Sequence, residues 1–292
     1  MAGCAQSTVR GRVERVPMIT PLALQDYPHV RPLFHALDDH LAVAAILAGD
    51  VPAHVYADDP RHPQVALLVP WNPQRLYLAG TAENEAFNRA AAEVVTARYA
   101  LHSPAPAAFV VYPAPGGWEQ RIAALVPAAA TVYVPRQYFR LKRLQVAWRT
   151  RIPAGLTMRR VDAPLFAEGL RHTEALSAEI QSESPSVAAF LRTQVGYCVQ
   201  HADAIVGWCL SEYTRVGRCE VGIETLAGYR RRGIATLTAA ALIEDVLAHG
   251  ITTIGWHCWA SNVGSRAVAA KVGFEQVREY GVWYCELRGN AR

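Results

Sequence analysis

Charge is scarce in this sequence: Asp, Glu, Lys and Arg make up 18% of 292 residues, against 51% hydrophobic. A disordered chain has the opposite balance, so disorder is excluded for most of the length. Mean hydropathy is +0.06, yet every uncharged apolar run is shorter than the ~20 residues a membrane-spanning helix needs. The N-terminal MAGCAQSTVRGRVERV has no apolar stretch of the kind a secretory signal requires. The six cysteines (Cys4, Cys198, Cys209, Cys219, Cys258, Cys285) show neither CxxC pairing nor zinc-ligand spacing. Reduced thiols in a cytoplasmic protein, with no metal, are the expectation. Net charge is only +4, too small and dispersed for a nucleic-acid partner. It favours no more than an anionic ligand. No internal repeat is visible.

A chain of this size has enough apolar material for two units of roughly 100–200 residues each. Residues 1–30, with scattered charge and proline, read as a tail or adaptor, 31–150 as an N-terminal α+β domain and 151–292 as a second domain. The boundary is set where 145–153 loses pattern. In the first unit, LDDHLAVAAILAGD reads as an amphipathic helix closed by Gly49. HVYA, QVALLVP and RLYLAG read as strands between Asp-Pro and Asn-Pro breaks. A helix over about Asn84–Ala100, the strand AAFVVY, a short helix near Glu119–Leu125 and the extended TVYVPRQYFRL complete it. The second unit reads as the strand GLTMRRV, helices about Pro164–Gln181 and Ser186–Val195, a hairpin turning at His201–Asp203, and the strand RCEVGIETL. The apolar helix GIATLTAAALIEDVLAHG, the strand TTIGWHCWA, the helix SNVGSRAVAAKVG and two strands, FEQVREY and VWYCEL, follow. That order gives an α/β (α+β) chain with a mixed sheet flanked by helices.

Chemistry concentrates where the strand Glu220–Leu226 turns through Arg230-Arg231-Arg232-Gly233-Ile234-Ala235 into the apolar helix. The first turn of a helix leaves N–H groups without partners, and the macrodipole adds positive charge there. Gly233 removes the Cβ that would hold a diphosphate away from the backbone, and arginines attract and fork onto phosphate. A plain basic turn ahead of a core helix is the competing reading of these residues alone.

The segment R-x-x-G-x-A, after a strand and at the head of a helix, resembles the acyl-CoA pyrophosphate signature of the GNAT (GCN5-related N-acetyltransferase) superfamily. About 30 residues on, WHCWASNVGSRAVAAKVGFEQV is similar to that superfamily's second motif, with Asn262, Gly273 and Phe274 as its markers. EVGIETLAGYRRRGIAT, Gly196–Cys198, Trp208–Ser211, YLAGTAEN and the stretch from Leu37 resemble one branch, the zwittermicin A resistance protein-like acetyltransferases. The resemblance implies a C-terminal GNAT fold with a mostly antiparallel sheet. It implies a first half that is a worn-down copy, with one CoA site between them because that half lacks R-x-x-G-x-A. The implied activity is acetyl-CoA-dependent transfer of acetyl to an amine of a small molecule, an antibiotic in that branch. The alternative is a non-catalytic acyl-CoA-binding or protein-interaction module.

Carried over by position, the resemblance gives Ile223, Glu224 and Thr225 to the pantetheine arm. Arg230, Arg231, Arg232, Gly233, Ile234, Ala235 and Thr236 fall to the pyrophosphate, and Asn262 to the pantetheine or the leaving sulfur. The amine must lose a proton, and Glu220, Glu224 and His257 are the candidate bases. Glu220 and Glu224 share strand parity and so one face; a histidine suits the task by its near-neutral pKa. Many relatives carry a tyrosine seven residues after the motif's Asn as acid to the thiolate. This chain has Ala269 there, which leaves Tyr280, Tyr284, Cys258 or an unassisted thiolate. Trp208, Trp256, Trp259, Trp283, Tyr197 and Tyr213 are candidates for the acceptor cleft against the alternative of core packing.

Overall fold

The computed structural model describes residues 19–100, 108–127 and 129–287. Cys4 and the first eighteen residues of the 1–30 segment lie outside the described residues. The remainder of that segment carries β1 (Thr20–Pro21) and α1 (Tyr27–Val30), with Val30 fully buried. A 3-10 stretch then leads into α2 (Leu41–Ala48). The helix expected from Leu37 therefore starts four residues late, because Arg31–Leu37 winds more tightly as a 3-10 helix. Gly49 ends α2 in the left-handed conformation, at φ 81°.

The strands β2 (Ala53–Ala57), β3 (Val65–Pro70) and β4 (Arg75–Gly80) form a meander. Every residue of β3 is buried, as a strand covered on both faces must be. Val65, Leu67 and Val69 pack with Phe87, Ala91 and Val95 of α3 (Glu85–Ala100), whereas Ala66 and Leu68 pack with α1 and α2. β5 (Ala108–Pro113) runs parallel to β4, and α4 (Ile122–Leu125) closes that layer before the long β6 (Ala129–Leu141).

β7 (Leu156–Arg160) is followed by α5 (Ala163–Ala167), α6 (Thr173–Glu183) and α7 (Val187–Thr193). The single helix expected over Pro164–Gln181 is thus two, broken where Gly169 and His172 take positive φ. β8 (Gly196–His201) and β9 (Ala204–Arg215) make the expected hairpin, and β10 (Arg218–Thr225), α8 (Ile234–Ala248), β11 (Thr253–Trp259) and α9 (Val263–Val272) follow. β12 (Phe274–Leu287) is one strand where two were expected. Gly281 is not a turn: a Cβ there would lie 2.1 Å from the Tyr133 ring, which crosses the strand at that point.

The twelve strands of the described residues join in one sheet, in the order β1-β2-β3-β4-β5-β12-β6-β11-β10-β9-β8-β7. β12 and β6 pair along their full lengths at its centre, so the two halves of the chain share a continuous ladder. On β10, Cys219 and Val221 pack with α8 and α9, while α5, α6 and α7 pack beneath Trp208 and Leu210 of β9. Among the described residues no helix is long and apolar enough to cross a membrane.

Candidate active site

β10 and β11 are parallel neighbours that part company midway. They pair at Arg218–Thr253, Cys219–Ile254 and Glu220–Gly255 and no further. Beyond that point β10 stays paired to β9 as far as Thr225, and β11 to β6 as far as Trp259. A wedge opens between the two strands, with one backbone edge of each left without a ladder partner. At its inner end is a cavity of about 290 Å³, lined by Val221, Gly222, Ile223, Trp256, His257 and Trp259 among others.

At the outer end lies the arginine turn. Arg230, Arg231, Arg232 and Gly233 are all exposed, whereas Ile234 and Thr236 are buried and Ala235 half-buried. Gly233 is the N-cap of α8 at φ 81°, offers no capping side chain, and a Cβ there would meet nothing within 4 Å. The first turn of this fifteen-residue helix therefore has no side-chain cap at its head. Arg230 donates to the Thr225 carbonyl at 3.1 Å and pairs with Glu224 at 3.3 Å. Arg232 lies over the Tyr229 ring at 5.1 Å.

Within the cavity the three candidate bases separate. Glu220 and His257 come together, with His257 Nε2 3.7 Å from Glu220 Oε1. Glu224 does not line the cavity; its half-exposed carboxylate accepts from the Thr225 amide at 3.0 Å and holds Arg230. Glu220 accepts the Leu41 amide, a first-turn donor of α2, and so caps that helix from the other half of the chain. Burial raises the Glu220 carboxyl to about 7, outweighing the lowering effect of that hydrogen bond.

His257 is held neutral, because burial lowers its pKa to about 3. Its tautomer follows from its partners: Nε2 donates to the Asp39 carbonyl at 3.0 Å, and Nδ1 accepts from the Tyr280 hydroxyl at 2.8 Å. Tyr280 in turn accepts from Arg136 Nε at 3.2 Å. The imidazole is stacked between His40 and Tyr138, each 4.6 Å away. With both ring nitrogens engaged, it has no lone pair left to take a proton.

A family model for GNAT acetyltransferases matches residues 31–283. The chain belongs to the GNAT acetyltransferase family. It is 26% identical over 274 residues to the "Uncharacterized N-acetyltransferase YdfB" of Bacillus subtilis, covering 91% of this chain and 98% of that protein. Among solved structures, a GCN5-related N-acetyltransferase-like protein from Streptococcus suis superposes with TM-score 0.69 at 20% identity, covering 90% of this chain and 99% of that one. A tandem GNAT protein from the clavulanic acid biosynthesis pathway superposes with TM-score 0.58 at 14% identity, covering 93% and 99%. At such identities these structures speak for the GNAT fold.

Asn262, a marker of the second GNAT motif, lines the cavity and also caps α9, its Oδ1 accepting the Ser265 amide at 3.0 Å. Ala269 is fully buried against the sheet, so no hydroxyl enters from the position where many GNAT enzymes place a tyrosine. Of the alternatives, Tyr280 and Cys258 line the cavity, and burial pushes both up in pKa. Of the aromatic candidates, Trp256 and Trp259 line it. Tyr213 lies just behind, donating to Glu183, while Trp208 and Trp283 are packed in apolar clusters and Tyr197 donates to Asp245.

The rest of the lining escaped the sequence reading. His40, Arg75, Tyr77, Tyr112 and Arg136 come from the first half, and Glu179, Glu183 and Glu212 from α6 and β9. No local pattern marks them. The usable signal was the polarity of Arg75 at the head of a strand otherwise buried, with its guanidinium paired to Glu183. Among the described residues, no group of three or more His, Cys, Asp or Glu side chains is arranged to hold a metal.

Proposed function

We propose that the protein is an acetyl-CoA-dependent N-acetyltransferase acting on a small-molecule amine, with Glu220 as the base that accepts the amine's proton. The observation that carries this reading is the wedge between β10 and β11. It runs from an uncapped helix N-terminus to a cavity that holds a buried carboxyl raised to about 7. The residues fit the group: Gly233 leaves the cradle open, and β10 has no ladder partner on its β11 side at Ile223 and Glu224, while the Thr225 amide and carbonyl are held by Glu224 and Arg230 and would have to exchange those partners for the arm.

On this reading the amides of Gly233, Ile234, Ala235 and Thr236, with Arg230, Arg231 and Arg232 around them, hold the diphosphate. Ile223 to Thr225 and Asn262 flank the arm. Acetyl-CoA, when bound, supplies an activated acetyl thioester. Glu220 takes the ammonium proton, being partly ionised at neutral pH where a general base works best. In place of the missing tyrosine at Ala269, Tyr280 is the proton donor to the leaving thiolate once its O–H turns away from His257 Nδ1, while Arg136 goes on donating to the phenolic oxygen and steadies the charge left there. Inactivation of an amine-bearing antibiotic is the finer reading, supported by the branch resemblance alone. Because β4–α3–β5 carries no arginine–glycine turn, one CoA is bound per chain.

The test is thiol release from acetyl-CoA in the presence of an amine panel, with acetylated product identified by mass. Free CoA appearing only with an accepted amine is the expected result. CoA binding without turnover on any amine would favour the non-catalytic module, which the buried Ala269 also favours. Absence of CoA binding would overturn both.

A further inference from the structure

We propose that the acceptor amine carries a second cationic centre, so that a diamine or longer polyamine chain is the preferred substrate class, with Glu212 and Glu179 holding the amine that does not react. This deepens the acetyltransferase reading and rests on it.

Four carboxyls, Glu179, Glu183, Glu212 and Glu220, line the cavity against two guanidiniums, Arg75 and Arg136. The guanidiniums are already committed. Arg75 pairs with Glu183, which also accepts from the Tyr213 hydroxyl. Arg136 donates to Tyr280 and stacks 4.5 Å over the Trp259 ring. Glu179 and Glu212 have no hydrogen-bond or ion-pair partner for their carboxyls among the described residues. The guanidinium whose charge reaches both, Arg75, is already paired with Glu183, so neither carboxyl has a cation of its own when it ionises.

The placement of Glu212 is built into the sheet. It is the direct cross-strand partner of Glu220, a like-charge pairing that costs stability unless something positive sits between or above the two. A Cβ at Gly222 would fall 1.9 Å from Glu212 Oε1, so the absence of a side chain there lets the carboxyl lie along β10 beside the wedge. Burial and the Glu183 carboxylate push the Glu212 carboxyl well up, and burial raises that of Glu179. An ammonium that bound there would drive both towards ionisation.

His40 is an independent sign of a missing ligand. It is 5% exposed, lies on the cavity wall, and leaves Nε2 without a hydrogen-bond partner. Burial and the neighbouring His257 and arginines hold it neutral, so an unpartnered nitrogen there can accept from an ammonium N–H. A carboxylate-bearing amine would instead meet an acidic wall.

The test is calorimetric titration of 1,4-diaminobutane, 1-aminobutane and 4-aminobutanoate into the protein, alone and saturated with CoA. The diamine should bind at least about tenfold more tightly than the monoamine, and the amino acid least of all. In Glu212→Gln, diamine affinity should fall about tenfold while affinities for 1-aminobutane and CoA stay unchanged. Equal affinity for the three amines, preference for 4-aminobutanoate, or no diamine binding overturns the proposal. The wild-type ranking decides the matter even where the variant folds poorly. Failure of CoA itself to bind sinks the acetyltransferase reading separately.

Discussion

The chain contains the same strand–helix–strand unit twice, and the two copies differ at every point that matters for a diphosphate. In the first half, β4 and β5 stay paired from Arg75–Val110 to Leu78–Pro113, and the Ala114 amide continues the ladder onto Leu78. The helix that follows, α3, is closed at its head: Asn84 Oδ1 accepts the Phe87 amide at 3.0 Å. Glu83 and Glu85 flank that end and pair with Arg121. In the second half the ladder stops after Glu220–Gly255, α8 begins at an uncapped glycine, and three arginines surround it. The lesson is that the parallel unit supplies a helix dipole in both places, but only an open wedge and an uncapped end make the dipole available.

Closing the open copy should have the largest effect. Gly233→Asp combined with Arg230→Ala puts a carboxylate where the cradle is empty, and CoA affinity should drop about a hundredfold or more by calorimetry. Unchanged affinity would place the diphosphate elsewhere. Glu220→Gln keeps an oxygen to accept the Leu41 amide but removes the base, and kcat should fall roughly a hundredfold or more. Wild-type kcat/KM should rise with pH through about 7 and the variant should lose that limb. The same raised carboxyl favours the folded state below its unfolded pKa, and that contribution is lost as pH rises through about 7. Glu220→Gln should therefore gain in Tm relative to wild type at pH 8 and not at pH 4. Tyr280→Phe removes one hydroxyl from the cavity and should lower kcat roughly tenfold with the KM for acetyl-CoA unchanged. Opening the closed copy should do least: Asn84→Ala should cost about 1 kcal/mol of stability, leaving CoA affinity as it was.

What the sequence disclosed follows the same division. The arginine turn, Gly233 and the head of α8 are contiguous, so seven adjacent residues are enough to suggest a diphosphate cradle there. The split of β10 from β11 is invisible in either strand, since it depends on which neighbours each keeps, Gly207 opposite Thr225 and Arg136 opposite Trp259. The cavity was the least legible part. Its wall brings His40, Arg75, Arg136, Glu183 and Glu212 together from positions far apart in the chain, and the pairing of β6 with both β11 and β12 is what does so. The strand over 274–287 reads as two in the sequence, FEQVREY and VWYCEL, for a related reason: Gly281, which lies between them, admits a neighbour's ring, and such a glycine cannot be told from a break until the neighbour is known. His257 was read as a base by its intrinsic pKa, and only its partners Asp39 and Tyr280 reveal that both nitrogens are engaged.

The contrast between the two copies is tested most directly by titrating CoA into the intact protein and reading stoichiometry. One site per chain, abolished in the Gly233→Asp and Arg230→Ala double variant, is the result the account predicts. Two sites per chain, or a single site that survives the substitutions, would contradict it.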